Sequence, residues 1–424
     1  MLRCSLRTAA VLVLCAPGFG RASVAMDDTL RTARLLSSGS ETVRIVCFGS
    51  SITGIYYHTG SRRAWSDMLE IALRRLYPAA KLEVINAGVS GNSTTQALAR
   101  IRSDVLDRKP HLVAVMFGMN DMVRNPPNIF HDNLVSIVQQ CRGAGSEVLL
   151  MTSNAILPED ARRPEGRLEE FVQIVRDVGR ELKAPVADCY RAYADVRRAS
   201  RRAFGEIMSD TIHPNMRGHK IFAEEVAYAI SGRRVSLSDV MPPVPAIPKT
   251  LDLLKRGVPV RVLAMKPYDT MIGPALQRIS PGARVQVTAW DVAGKSLGEI
   301  EASAKEQGWF RFYRTQGGEK PDLVIVAVPA TALAEGDEQF YRHYTWTLNY
   351  ALSFGPSEWD LFAVLPSVVQ PELGAAGRAA EELAQRVIAG QDIGWLGRKP
   401  NDRTPAAELL VEWLKAQTAP QRAE

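Results

Sequence analysis

The chain has 424 residues, too many for one ordinary small domain; at about 150 residues each, that length implies two or three. Hydrophobic residues make up 46% and charged residues 23%, a globular balance that excludes a disordered chain, a collagen-like fibre and a disulfide scaffold. The formal net charge of +6 is scattered rather than gathered into a basic stripe, so no nucleic-acid partner is expected.

In chain order, Arg3 and Arg7 precede a short apolar run from Ala9 to Pro17, and Ser23-Val24-Ala25 follows as a small-x-small stretch. This is the pattern of a secretory signal peptide over residues 1–25, cleaved after Ala25. The run falls short of the roughly 20 residues that span a membrane, and no later segment reaches that length. The expectation is an exported chain, periplasmic or secreted, with no integral membrane span. Lipid attachment through Cys15 is disfavoured by the bulky Leu14 before it. Of the five cysteines, Cys4 and Cys15 lie in this leader, while Cys47, Cys141 and Cys189 sit in or beside apolar segments. Buried free thiols are the plainer reading of these three, with one bridged pair left open. No Cys/His spacing suggests a zinc site, and neither a metal nor a cofactor is expected.

From residue 43 strand-like runs alternate with helical patterns. Val43–Phe48 is the first run, ending at Gly49-Ser50-Ser51, and Trp65–Leu76 has helical periodicity. Leu82–Ile85 is the second run, ending in Asn86-Ala87-Gly88-Val89-Ser90-Gly91-Asn92, and Thr94–Leu106 reads as helix. Leu112–Phe117 is the third, ending at Gly118-Met119-Asn120-Asp121. Helix over Asn133–Arg142, strand over Glu147–Met151, helix over Leu168–Glu181 and a short strand over Pro185–Cys189 follow. A last helix starts at about Gly218 and carries Val226, Ala229 and Ile230. The alternation predicts an α/β fold whose parallel sheet is covered on both faces, with ligands bound beyond the carboxyl ends of the strands.

Residues 240–248, Val-Met-Pro-Pro-Val-Pro-Ala-Ile-Pro, read as a stiff linker. Beyond it, over 249–418, the strand order starts again. Arg261–Met265 lies on Arg44–Phe48, Arg284–Lys295 on Lys81–Asn92, and Lys320–Val324 on Lys109–Val113, while Trp359–Leu365 falls where a fourth strand belongs. This points to a second α/β domain of similar fold, the alternative being an unrelated domain with similar strand spacing.

Ser51, at the end of the first strand, is the candidate nucleophile, and a serine hydroxyl needs a base within hydrogen-bond reach. Asp210-Thr211-Ile212-His213-Pro214 supplies one: His213 can face the serine while Asp210 holds its other ring nitrogen. Donors for an oxyanion are available from the Gly91 backbone, the Asn120 side-chain amide and the Ser51 backbone. Taken singly these are ordinary residues, an incidental surface pair or turn formers; their order, three of them at successive strand ends, is what carries the reading.

Over residues 43–231 the sequence resembles the SGNH, or GDSL-like, hydrolases, named for the Ser, Gly, Asn and His of four blocks. The matching residues are Ser51, Gly91, Asn120 and His213, with Asp210 as the third triad member. The resemblance implies a flavodoxin-like three-layer parallel sheet and a serine esterase or acylhydrolase mechanism without metal. The first block of that family usually reads Gly-Asp-Ser; here Ser50 replaces the Asp, which removes a carboxylate beside the nucleophile.

His58, Met119 and Asp121 are expected to border the substrate, His58 because Tyr56-Tyr57-His58 and Arg62-Arg63 form a polar loop soon after the nucleophile. His111, His131, His219 and His343 read as structural or surface groups. In the second half Pro267 or Tyr268 stands opposite Ser51, Thr331 opposite Asn120, and 401–405 holds no histidine, so this half reads as a catalytically degenerate copy. The substrate expected is a small ester or acylated carbohydrate, with loss of a short acyl group such as acetyl. Two other readings stand beside it: an SGNH-type O-acyltransferase using the same residues, and a non-catalytic carbohydrate-binding protein, against which the intact Ser51, Asp210 and His213 weigh. A nucleotide binder lacks its phosphate-cradling Gly-rich loop.

Overall fold

The computed structural model describes residues 30–310, 319–334 and 337–419; the leader expected over 1–25 lies outside them. Strands β1 (Thr42–Gly49), β2 (Lys81–Gly88), β3 (Leu112–Met116), β4 (Glu147–Met151) and β5 (Val186–Ala187) form a parallel sheet in the order β2-β1-β3-β4-β5. All five residues of β3 are buried, as are Val43 and Ile45 through Phe48 of β1, because helices cover both faces. The helix Trp65–Leu76 buries Trp65, Met68, Leu69, Ala72 and Leu73, a stripe at helical spacing, and packs on Met216–Ser231. Helices Thr94–Asp104, Pro127–Gly143 and Glu165–Glu181 pack in series. The chain reverses its winding after β2, so the crevice at the ends of β1 and β3 is the switch point where such sheets bind ligands.

The second half repeats the plan. Strands β6 (Val260–Met265), β7 (Val285–Trp290), β8 (Leu323–Val326), β9 (Asp360–Val364) and β10 (Gly394–Leu396) are parallel in the order β10-β9-β8-β6-β7, the first sheet's order read from the other edge. The registers correspond as well. Arg44 pairs with Glu83 and Ile45 with Leu112 in the first sheet; Arg261 pairs with Gln286 and Val262 with Leu323 in the second. The backbone N–H of Arg44 donates to His111 Nδ1, and that of Arg261 to Asp322 Oδ2, so a side chain entering the third strand does the same task twice.

Several elements depart from the sequence expectations. The helix Arg31–Ser38 was not anticipated; its first turn is held by the Glu147 carboxylate, which accepts from Arg31 N, Thr32 N and Thr32 Oγ1, each at 2.7 Å. Helices Cys189–Ala199 and Arg201–Glu206 are likewise new, and they shorten β5, since Asp188 turns into a helix cap beside Thr152. The helix over 133–142 begins earlier, at Pro127, where a missing N–H is no loss. The segment 240–248 is strapped to both halves rather than spanning free: Val240 O accepts from Lys220, Met241 O from Arg63 and Pro245 O from Arg62, while Ala246 N donates to Gln417. Ile247 is buried in the second core, and Pro248 already starts a helix.

The halves meet across the loop that follows Ser51. Tyr57 N donates to Phe354 O, Ser61 Oγ to Ser353 O, and Ser357 N to Ser61 O. Tyr57, from the first half by sequence, belongs to the apolar core of the second. Arg63 grips Asp392 through two bonds of 2.8 and 2.6 Å, with Asp392 only 2% exposed. Burial pushes the Asp392 carboxyl above its ordinary range even with Arg63 beside it. Arg63→Ala should therefore cost about 3 kcal/mol, because it strands a buried carboxylate. The midpoint of urea unfolding measures this, and an unchanged midpoint would show the pair to be dispensable.

Candidate active site

Ser51 occupies a tight turn just past β1, in which Ser50 O accepts from Thr53 N and Gly54 N at 3.1 and 3.0 Å. The turn is tied down on each side. Asn86 Nδ2 donates to Thr53 O at 2.6 Å, Val89 N to Gly49 O at 3.1 Å, and the Arg100 guanidinium to both Gly49 O and Ala87 O. A Cβ on Gly88 would lie 2.2 Å from Gly54 N, so the end of β2 approaches the Ser51 turn as only glycine allows.

His213 and Asp210 lie on the loop before the helix Met216–Ser231. Asp210 Oδ1 accepts from the backbone N–H of Ile212 and His213 at 2.8 and 2.7 Å, a turn of the Asx type. Asp210 Oδ2 accepts from His213 Nδ1 at 2.7 Å, which places that proton on Nδ1 and leaves Nε2 to accept from the Ser51 hydroxyl at 2.9 Å. Burial alone would push the Asp210 carboxyl up. The charge of His213, bonds from its ring and backbone, and a bond from Tyr57 outweigh burial and hold the group well below the ordinary carboxylate range. The structure thus brings Ser51, His213 and Asp210 into one chain of hydrogen bonds.

Gly91 has φ +76°, and a Cβ there would meet nothing nearer than Arg124 Nη2 at 3.9 Å. Glycine is required by the left-handed backbone rather than by crowding, and space remains in front of it. Asn120 Nδ2 donates to Asn92 O at 3.0 Å, joining the loop after β3 to the loop after β2. Arg124 donates to Gly91 O across the same gap.

The three residues expected to border the substrate are placed otherwise. Asp121 is fully buried, and its carboxylate accepts from Thr94 N, Thr94 Oγ1, Asn125 Nδ2 and Gly118 N, clamping the Asn120 turn to the start of the helix Thr94–Asp104. Met119 is buried with its carbonyl held by Arg163 Nε. His58 is buried too, its Nε2 donating to Ser51 O at 3.1 Å and its ring stacked on His213 at 4.7 Å and 8°. These side chains support the loops and offer no surface to a ligand; the polar composition of the loop points to the substrate, but the second half covers the loop. The other histidines are structural: His111 accepts from Arg44 N, buried His219 from Trp65 N, His131 lies between Asp132 and Glu181, and His343 pairs with Glu301.

Sequence reasoning missed Tyr57 and Ser209. Tyr57 Oη donates to Asp210 Oδ2 at 2.7 Å, and Ser209, next to Asp210, is gripped by Asn349 and Gln391 from the second half. Tyr57 stood in the noted Tyr56-Tyr57-His58 run, but its aim depends on Trp346 and Phe354, which lie about 290 residues away in sequence. Cys47, Cys141 and Cys189 are free and buried, and burial pushes each thiol up. Among the described residues no cluster of His, Cys, Asp or Glu could hold a metal ion, and no helix is long and apolar enough to cross a membrane.

Residues 47–221 match the model of the GDSL-like lipase/acylhydrolase family. The uncharacterized lipoprotein YqeF of Bacillus subtilis (strain 168) is 28% identical over 202 residues, 40% of this chain and 80% of that protein. An acetylxylan esterase of Geobacillus stearothermophilus is 26% identical over 162 residues, 36% of this chain and 73% of its own length. A crystal structure of an acetylxylan esterase from the same organism covers 46% of this chain and 97% of that one, at 24% identity and a TM-score of 0.41.

Burial, and next the neighbouring His213, push His58 down from its ordinary 6.5 to about 3. The unfolded chain takes up that proton near 6.5 and the native chain does not, so this stability is whole above pH 6.5 and drains away as pH falls toward 3. The loss reaches about 5 kcal/mol at about 1.4 kcal/mol per pH unit. Urea unfolding from pH 7 to pH 4 should show a shallower slope in His58→Phe than in the parent chain; equal slopes would mean that His58 is protonated in the native state.

Proposed function

We propose, from the premise that residues 47–221 are a GDSL-like lipase/acylhydrolase domain and the protein a hydrolase acting on esters, that Ser51 is its nucleophile, His213 its general base and Asp210 the group that orients the base. The observation that carries this reading is the unbroken chain Ser51 Oγ to His213 Nε2 at 2.9 Å and His213 Nδ1 to Asp210 Oδ2 at 2.7 Å. As Ser51 attacks an ester carbonyl, its proton passes to His213, whose positive charge faces the buried Asp210 carboxylate. The alcohol leaves with the proton from His213, and water activated by the same ring then releases the acyl group. The backbone N–H of Ser51 and of Gly91 and the Asn120 amide are the donors for the oxyanion, with Asn120 held in place through Asn92 and Asp121.

The substrate we infer is an acylated carbohydrate losing a short acyl group, acetyl first among them, on a chain exported by its leader. The acetylxylan esterase relative favours that class. We read the second half as a degenerate copy that performs no chemistry: its sheet has the same order and register, while Pro267, Tyr268 and Thr331 stand where the first half has Ser51 and Asn120.

Hydrolysis of p-nitrophenyl acetate by the purified chain tests the mechanism. Ser51→Ala and His213→Ala should each lower kcat by roughly 10^4-fold or more. Asn120→Ala should lower it by about 10^2 to 10^3-fold, the usual loss for one oxyanion donor. Parent and Ser51→Ala chains of equal activity would remove Ser51 as the nucleophile. On acetylated xylo-oligosaccharide with a sugar acceptor present, free acetate marks a hydrolase and acetylated acceptor marks an acyltransferase.

A further inference from the structure

We propose that the second domain completes the catalytic centre, fixing the Asp210 carboxylate through Tyr57 and Ser209 so that Tyr57, Ser209 and Asn349 are positioning residues of the esterase reaction. The inference rests on the triad reading above and adds to it a task for the half of the chain that carries no catalytic groups.

Two separate grips reach Asp210. The first is through its neighbour. Asn349 Nδ2 donates to Ser209 O at 3.2 Å, Asn349 Oδ1 accepts from Ser209 Oγ at 3.2 Å, and Gln391 Nε2 donates to Ser209 Oγ at 2.9 Å. All three groups are buried, and Ser209 N donates to His213 O at 2.8 Å. Every side-chain bond recorded for Ser209 therefore runs to the second domain, and its backbone is shared with both Asp210 and His213. The second grip is through Tyr57, whose ring stacks on Trp346 at 6.2 Å and packs on Phe354 at 5.7 Å while its hydroxyl donates to Asp210 Oδ2. Its other face meets His213 edge-on at 6.1 Å, so one aromatic ring is wedged between the second domain's core and the base.

The chemistry follows from what Asp210 has to do. A carboxylate that orients an imidazole must keep one oxygen on Nδ1 while the ring gains and loses a proton. Two backbone donors hold Oδ1, and Tyr57 and His213 share Oδ2. The titratable groups around this point are Asp210, His213 and Tyr57, with His58 stacked on His213, His219 beyond it, and Tyr350 on the second-domain side. Removing the Tyr57 hydroxyl takes away one of the two donors on Oδ2 and leaves that oxygen less firmly fixed on Nδ1.

The test measures kcat and KM for p-nitrophenyl acetate across pH with the full chain, the parent beside Ser51→Ala, Tyr57→Phe and Asn349→Ala. Tyr57→Phe keeps the ring and its stacking and should lower kcat by about tenfold with KM within twofold. Asn349→Ala should lower kcat by about tenfold or more with KM within twofold. If Asn349→Ala fails to fold, as judged by circular dichroism, Ser209→Ala takes its place with the same expected split. Activity that depends on Ser51 but has the parent kcat in Tyr57→Phe, and in Asn349→Ala or Ser209→Ala, would overturn the inference and leave the triad standing. Activity that survives in Ser51→Ala would overturn the triad and this inference with it.

Discussion

A single buried carboxylate organises the first half of this protein. Asp210 is almost wholly out of water and accepts four hydrogen bonds, from Ile212 N, His213 N, His213 Nδ1 and Tyr57 Oη. A buried charge left short of donors costs several kcal/mol, so the backbone turn, the ring of His213 and the hydroxyl of Tyr57 each help to hold it in place. From that point the order spreads outward: His213 aims Nε2 at Ser51, His58 lies flat on His213 and holds Ser51 O, and the Ser51 turn is bound to the end of β2 through Asn86 and Gly88. Each contact limits the freedom of the next.

That chain of support explains why the supposed substrate-facing residues are buried. Asp121 carries a charge next to Asn120, and a charge beside a candidate donor invites a ligand-binding reading. Its four donors all come from Thr94, Asn125 and Gly118, so its charge is spent on holding one loop to the start of a helix. His58 is the same kind of residue. An imidazole held neutral well below physiological pH can stack on a base that must gain a proton without repelling it, which a charged neighbour could not do.

Local signals made most of the fold legible. The apolar runs at Val43–Phe48 and Leu112–Phe117 and the stripe in Trp65–Leu76 each report on their own burial, and strands β1, β3 and β4 begin and end within a residue of where those runs do. Short elements were not legible: Arg31–Ser38 is held by Glu147, more than a hundred residues on, and β5 is cut to two residues by the cap at Asp188. In the site, Ser51, Gly91, Asn120, Asp210 and His213 stood out because each needs a particular residue type at a strand end or turn. Tyr57 and Ser209 did not, because their roles are set by partners on another domain, and a tyrosine or serine in a loop is compatible with almost any surrounding.

The two sheets differ most at their carboxyl edges, although their registers agree. In the first half that edge is open at Gly91 and rigid at Ser51; in the second, Tyr268 is buried over the end of β6, and the Arg398 guanidinium is taken up by the carbonyls of Ser367, Val368, Asp402 and Thr404. The second domain turns a different surface toward the first: the helix Asp337–Ala351 with Trp346 and Asn349, the turn at Phe354, and Gln391 with Asp392. These meet the loop 56–63 and Ser209, the two segments that flank Ser51 and Asp210 in sequence. An open parallel sheet provides backbone support for residues within its strands but little for loops beyond their ends. A second sheet of the same size, packed against those loops, supplies the missing rigidity.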